Sequence, residues 1–181
     1  MRLRIIAGTL GGRFFESPDT TTTHPMGERI RGALFNILGD LSGKTVLDPF
    51  AGTGALSFEA ISRGATSSLA LENDKRAQKT IQKNIDSLGV QQQIKLIKAN
   101  CRMWSEQNPQ AQFDLILADP PYHDMQLSTV ELLIRHLKPK GLMVLSHVGR
   151  DLAPTVNGVV VVDNRNYGDA ALAFFRQGSP E

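Results

Sequence analysis

Apolar residues recur along the chain at two periods, and the switches between them divide it into elements. Two short β-prone runs, Arg2-Leu3-Arg4-Ile5-Ile6 and Arg13-Phe14-Phe15, flank a glycine-rich turn and predict a hairpin. Polar Ser17 to His24 reads as a loop. From Glu28 to Leu38, Ile30, Ala33, Leu34, Ile37 and Leu38 fall at helical spacing, with Arg29 and Arg31 off that stripe. From Lys44 onward, strands are predicted over Thr45 to Asp48, Ser67 to Glu72, Ile94 to Ala99, Phe113 to Asp119 and Leu142 to Ser146. Helices are predicted between them, near Gly54 to Arg63, Lys75 to Leu88 and Met125 to Leu137. Such alternation implies a parallel, doubly wound sheet that takes ligands at its strand carboxyl ends. The last two β runs, Val159 to Val162 and Ala171 to Phe175, have only the turn Asn164 to Asp169 between them and should pair antiparallel at one edge. The expected organisation is a hairpin-and-helix appendage over residues 1–40 and a main domain over residues 41–181.

A chain of 181 residues, 41% hydrophobic and 21% charged, is long enough for one ordinary core. The single cysteine, Cys101, excludes a disulfide framework and cannot make a zinc site alone, which suits a reducing cytoplasm. No apolar stretch has the length of a membrane span, and Met1-Arg2-Leu3-Arg4 lacks a signal-peptide core, so a cytoplasmic protein is expected. A net charge of +2 says little by itself. Local clustering says more. The first fifteen residues hold Arg2, Arg4 and Arg13 and no acid, and Arg29 and Arg31 follow on the first helix. They form either a solvated face or a basic appendage that grips a phosphate backbone.

Chemistry concentrates first in Thr45-Val46-Leu47-Asp48-Pro49-Phe50-Ala51-Gly52-Thr53-Gly54-Ala55-Leu56, a strand, a tight turn and a helix start. No lysine follows Gly52 or Gly54, so this is not a phosphate-binding P-loop. The third glycine of a dinucleotide fingerprint is replaced by Ser57, and Asp48 would repel a pyrophosphate. A cationic, phosphate-poor nucleoside fits better. S-adenosylmethionine, with its ammonium and sulfonium, is attracted to an acidic strand tip. Phe50 shares this turn. Glu72, at the tip of the second strand, can accept from both ribose hydroxyls, and Asn100, after the third, can meet the adenine edge or cap the segment Cys101 to Glu106.

The second motif is Asp119-Pro120-Pro121-Tyr122, after the fourth strand. Two prolines stiffen the turn and remove two N–H groups, leaving acceptors that suit an amine. An exocyclic nucleobase nitrogen is a poor nucleophile. The Asp119 carboxylate and Pro120 carbonyl, each taking one N–H, would hold its remaining lobe toward an activated methyl group, with Tyr122 stacked on the base. His123 reads as an exposed turn residue, Trp104 as core or pocket wall, and His136 and His147 have no metal-ligand companions, so no metal is expected.

These residues together resemble the RsmD-type family, bacterial methyltransferases acting on the exocyclic N2 of one guanine in small-subunit (16S) ribosomal RNA. The resemblance covers nearly the whole chain: Arg4 to Gly8 with Gly12-Arg13, Arg29-Ile30-Arg31 with Ala33 to Asn36, Asp48 to Gly54, Glu72, Asn100, Asp119 to Tyr122, and Tyr167-Gly168-Asp169. It departs at His24, Met26, Glu28 and Gly32, where the family pattern has other residues. The resemblance implies a class I, Rossmann-like methyltransferase fold with a mostly parallel seven-stranded sheet and an antiparallel edge hairpin. It further implies S-adenosylmethionine on Asp48, Phe50, Gly52, Gly54, Glu72, Asn100 and Asp119, and catalysis at Asp119, Pro120, Pro121 and Tyr122. Ribosomal RNA would meet Arg4, Arg13, Arg29 and Arg31, on a monomer with no membrane partner. A Pro-Pro-aromatic turn also serves adenine-N6 or cytosine-N4 methylation of DNA, and methylation of a protein glutamine is a further alternative.

Overall fold

A computed structural model describes residues 1–19 and 25–178. Most of the expected loop up to His24 therefore lies outside the described residues. The elements are β1 (Arg2–Arg4), β2 (Phe14–Glu16), α1 (Glu28–Leu38), β3 (Thr45–Asp48), α2 (Ala55–Ser62), β4 (Ser67–Leu71), α3 (Lys75–Leu88), β5 (Ile94–Ile97), α4 (Cys101–Gln107), β6 (Phe113–Ala118), α5 (Leu127–Leu133), β7 (Leu137–Val148), β8 (Val159–Asn166) and β9 (Ala170–Gln177). β1 and β2 pair as an antiparallel hairpin. The other seven strands form a sheet in the order β5-β4-β3-β6-β7-β9-β8. β3, β4 and β5 run parallel, as do β6 and β7, while β9 is antiparallel to both β7 and β8. The chain folds as two compact units, Met1–Asn100 and Cys101–Glu181, and residues 1–40 lie within the first.

In the first unit the hairpin is fastened to helices by side chains. All eight residues of α2 are buried, so its polar members need partners inside the protein. Glu59 accepts from the Ile6 and Ala7 N–H groups at 2.9 and 3.2 Å. Ser62 accepts from Leu10 N–H at 2.9 Å and donates to the Ala7 carbonyl. Gly8 stands at φ +89°, and a Cβ there would lie 1.9 Å from the Ser62 carbonyl oxygen, so only glycine allows this approach. Farther along, Asn84 of α3 exchanges hydrogen bonds with the Glu16 backbone at 3.0 and 2.8 Å. Phe15 packs on Phe58 with ring centroids 5.0 Å apart.

In the second unit the largest departures from the apolar pattern fall at three boundaries. β7 begins at Leu137 rather than Leu142 because Leu137 already pairs with Phe113. Leu142 then pairs with Leu115, so the Lys138-Pro139-Lys140-Gly141 stretch bulges from the ladder, which suits a proline without an N–H. The residues expected to continue the preceding helix form a single 3-10 turn, Ile134–His136. β8 runs to Asn166, since a bulge between Val161 and Asp163 keeps Asn164, Arg165 and Asn166 paired with β9. The turn shrinks to Tyr167-Gly168-Asp169, closed by Tyr167 N–H on the Ala170 carbonyl at 2.8 Å.

Candidate functional site

In the first unit the strand tip of β3 and the start of α2 build a candidate cofactor cluster. Gly54 caps α2 in a left-handed conformation, φ +82°, where a Cβ would press on the Phe58 ring at 2.8 Å. Below this turn Asp48 is fully buried. Its Oδ2 accepts from the Ser57 hydroxyl at 2.7 Å, and Ser57 meets Ser68 at 2.8 Å. Ser57, which stands where a dinucleotide fingerprint would have glycine, therefore holds the strand-tip carboxylate. The expectation places Asp48 against the cofactor; packing of α2 over the strand tip encloses its side chain.

Glu72 lies just beyond β4 and keeps partial solvent contact. Its Oε2 accepts from Gly52 N–H at 2.7 Å, and its Oε1 accepts from Asn73 and Asp74 N–H at 3.1 and 2.9 Å. Burial raises its pKa, while those three donors oppose the rise. A carboxylate has about four acceptor positions, so capacity for further donors remains. Gly52 and Phe50 are half-buried, and Asn100 is exposed after β5.

In the second unit a separate cluster stands on β6 and β7. Asp119 follows Ala118, which pairs with Leu145, so the parallel register sets Ser146 beside it. The Asp119 side chain keeps some solvent contact, yet the packing around its carboxyl group pushes the pKa up to about 6. A hydrogen bond from Ser146 opposes that shift. Ser146 is 1% exposed, and its hydroxyl lies 2.6 Å from the Tyr122 hydroxyl. An ionised Asp119 can only accept, so the one Ser146 proton goes to it and Tyr122 donates to Ser146. Burial raises the Tyr122 phenol above its ordinary value; the hydrogen bond with Ser146 opposes that rise, and the nearby Asp119 charge adds to it least. Tyr122 remains 39% exposed. Pro120 is buried, Pro121 is exposed, and the Pro121 carbonyl takes the Asp124 N–H at 3.0 Å, closing the turn. Sequence reasoning missed Ser146, because a lone serine in an apolar strand gives no signal until register places it.

Of the four arginines expected on RNA, Arg13 and Arg29 are exposed without an ion pair among the described residues. Arg4 pairs with Glu28 at 2.9 Å on the surface. Arg13 spends its guanidinium on the Ser87 and Leu88 carbonyls at 2.9 and 3.3 Å, at the carboxyl end of α3. Arg31 corrects the helical-stripe reading. It is 1% exposed, 3.4 Å from the fully buried Glu59, and donates to the Met26 and Arg4 carbonyls. Its side chain reaches inward because Glu59 would otherwise be a buried charge offset by Arg63 alone at 3.0 Å. His136 is enclosed between Ser105 and the Ala111 carbonyl, and His123 is exposed. Among the described residues no group of three His, Cys, Asp or Glu could hold a metal, and no helix is long and apolar enough to cross a membrane.

Residues 3–176 match the family described as conserved hypothetical protein 95. The ribosomal RNA small subunit methyltransferase D of Buchnera aphidicola (subsp. Acyrthosiphon pisum) is 35% identical over 134 residues, 73% of this chain and 70% of that protein. The tRNA1(Val) (adenine(37)-N6)-methyltransferase of Shewanella loihica is 34% identical over 132 residues, 69% of this chain and 54% of that protein. Among solved structures, a candidate methyltransferase of Escherichia coli superimposes with a TM-score of 0.87 at 26% identity, covering 99% of this chain and 100% of that one.

Proposed function

The chain belongs to the conserved hypothetical protein 95 family, the RsmD-type family, and from that premise we propose that it transfers the methyl group of S-adenosylmethionine to the N2 amine of a guanine in 16S ribosomal RNA. The observation that carries the reading is Asp119, a carboxylate with a pKa of about 6 at the head of a rigid acceptor turn and tied through Ser146 to an exposed aromatic ring.

The turn of Gly52 and Gly54 fits the cofactor, since Glu72 is held against it by the Gly52 N–H and retains acceptor capacity for ribose hydroxyls. When bound, S-adenosylmethionine supplies a methyl group on a sulfonium. Phe50, Gly52, Gly54, Glu72 and Asn100 contact it in this reading, and Asp48 adds negative potential from beneath. Asp119 and the Pro120 carbonyl accept the two amine N–H groups, and Tyr122 stacks on a base turned out of its helix. As the N–CH3 bond forms, the nitrogen loses a proton, and the carboxylate already holding that N–H can take it. Residues 1–40 act as an RNA-docking appendage in which Arg29 faces outward and Arg4 does so beside Glu28. The protein works as a cytoplasmic monomer.

The Shewanella relative favours a second reading, methylation of an adenine N6, because the same turn accepts any exocyclic amine. One experiment separates the two. Methyl-labelled S-adenosylmethionine is supplied with undermethylated small ribosomal subunits, free 16S ribosomal RNA, transfer RNA and DNA, and the labelled nucleoside is identified. N2-methylguanosine from the ribosomal samples is the expected result; N6-methyladenosine would transfer the mechanism to the second reading. Cofactor binding has its own check. Glu72→Ala should weaken S-adenosylmethionine binding by roughly ten- to a hundredfold in calorimetry, as loss of charged hydrogen bonds does. Unchanged affinity would remove Glu72 from the site.

A further inference from the structure

Helix α3 (Lys75–Leu88) buries Ala77, Gln78, Ile81, Asn84, Ile85 and Leu88. Lys75, Arg76, Lys79 and Lys83 are all exposed on the opposite side. Lys75, Lys79 and Lys83 are spaced i, i+4, i+8, a ridge about 12 Å long at 1.5 Å rise per residue. None of the four is in an ion pair among the described residues. Several other cations of this unit are paired with acids: Arg4 with Glu28, and Arg31 and Arg63 with Glu59.

A face shaped only by solvation would place these charges differently. Like charges at i, i+4 oppose helix formation, and cations in the first turn meet the positive end of the helix dipole. The first turn of α3 has no acid and the last has no base. Asp74 caps the helix by accepting Ala77 N–H at 2.8 Å, and beyond it the charges of α3 run against its own stability. A local rule broken without an internal return points to a partner. The ridge starts three residues after Glu72 and ends where the Arg13 guanidinium sits on the Ser87 and Leu88 carbonyls, so one basic track runs from the proposed cofactor carboxylate to the hairpin.

We infer that the outer face of α3, through Lys75, Arg76, Lys79 and Lys83 with Arg13 at its end, is a docking track for the phosphate backbone of the RNA substrate. This rests on the ribosomal RNA reading and moves much of the electrostatic footprint from the hairpin to the helix beneath it. Phosphate contacts position RNA without reading its sequence, so the track sets register and leaves base choice to the Asp119 turn.

The test compares wild type, the Lys75→Gln/Lys79→Gln/Lys83→Gln variant, and a Lys44→Gln/Lys95→Gln/Lys140→Gln control that loses the same charge from other exposed positions. Binding of a 16S ribosomal RNA transcript is measured from about 50 to 200 mM salt, a range over which phosphate contacts dominate the salt dependence. Thermal midpoints and S-adenosylmethionine affinity are measured alongside. The α3 variant should bind RNA about tenfold more weakly than the control, with the slope of log affinity against log salt reduced by about two. Its Tm should equal or exceed that of wild type, and its cofactor affinity should not change. A slope and affinity equal to the control's would overturn the inference. So would RNA binding that is intact while binding to assembled small subunits falls, since the track would then meet protein. The salt slope reads α3 and the labelled nucleoside reads the reaction, so either proposal can fail alone.

Discussion

Asp119→Ala should lower methyl transfer by roughly 10²- to 10³-fold, the usual loss when an oriented charged partner of the reacting group is removed. S-adenosylmethionine affinity should stay within about twofold, because the substitution lies just beyond β6 and Glu72 and the glycine turn are untouched. The wild-type rate should also carry an acid limb. The carboxylate accepts the amine N–H only when ionised, so single-turnover rates should fall with one-proton slope as pH drops through about 6. Ser146→Ala removes the donor that favours the charged form and should move that limb upward, while Ser146→Thr should restore it. Stability carries the opposite sign. A folded pKa of about 6 against an ordinary value of 3.8 means the folded state holds its proton longer, so stability falls as pH rises from about 4 to 6. Asp119→Asn should abolish that fall and gain on the order of 2 kcal/mol at pH 7. Full transfer activity in Asp119→Ala would sink the mechanism, and a flat rate profile between pH 5 and 7 would sink the role given to its ionisation.

Arg31→Ala should destabilise the protein by about 3–5 kcal/mol, read from urea midpoints, because it leaves Glu59 buried with Arg63 as its remaining ion-pair partner. Burial already lowers the Arg31 pKa, with Glu59 opposing that shift, which shows how much of the guanidinium's solvation has been given up. Arg29→Ala, two residues away and exposed, should cost less than about 0.5 kcal/mol. The two arginines of Arg29-Ile30-Arg31 thus separate: one is available to a partner, and one holds the floor under the hairpin. A loss below 1 kcal/mol at Arg31 would mean that α2 tolerates the unbalanced carboxylate. RNA binding by Arg31→Ala has meaning only where the variant is still folded.

The elements were legible wherever periodicity was set by burial against one surface. α1, α3 and β3 match their expected boundaries to the residue because Gly39, Asp74, Gly89 and the glycine turn after Asp48 punctuate them. The first turn and the Asp119 motif were legible because glycine and proline restrict backbone in ways sequence spacing records. β7 and β8 were shortened in reading because a bulge shifts pairing without leaving a period to detect. Arg31 was misplaced for a different reason: a stripe counts apolar residues, and a buried ion pair puts an arginine on the inner face. Ser57 and Ser146 were invisible as functional groups since each acts through a carboxylate brought near by register alone. The charge arrangement of α3 was present in the letters, yet its meaning depends on the neighbouring arginines being occupied, which only folded geometry reveals.

The fastenings of the hairpin also order events during synthesis. Its anchors lie 53 residues ahead at Glu59, 68 ahead at Asn84 and 75 ahead at Leu88. At about 5–20 residues per second, residues 2–16 wait roughly 4–15 s between being made and having a place to sit. During that interval Phe15 has no Phe58 to cover it, and Ile6 and Ala7 have no carboxylate to receive their N–H groups. The earliest part of this unit to be translated is therefore among the last to lock, and completion of α3 is the step that releases it from solvent.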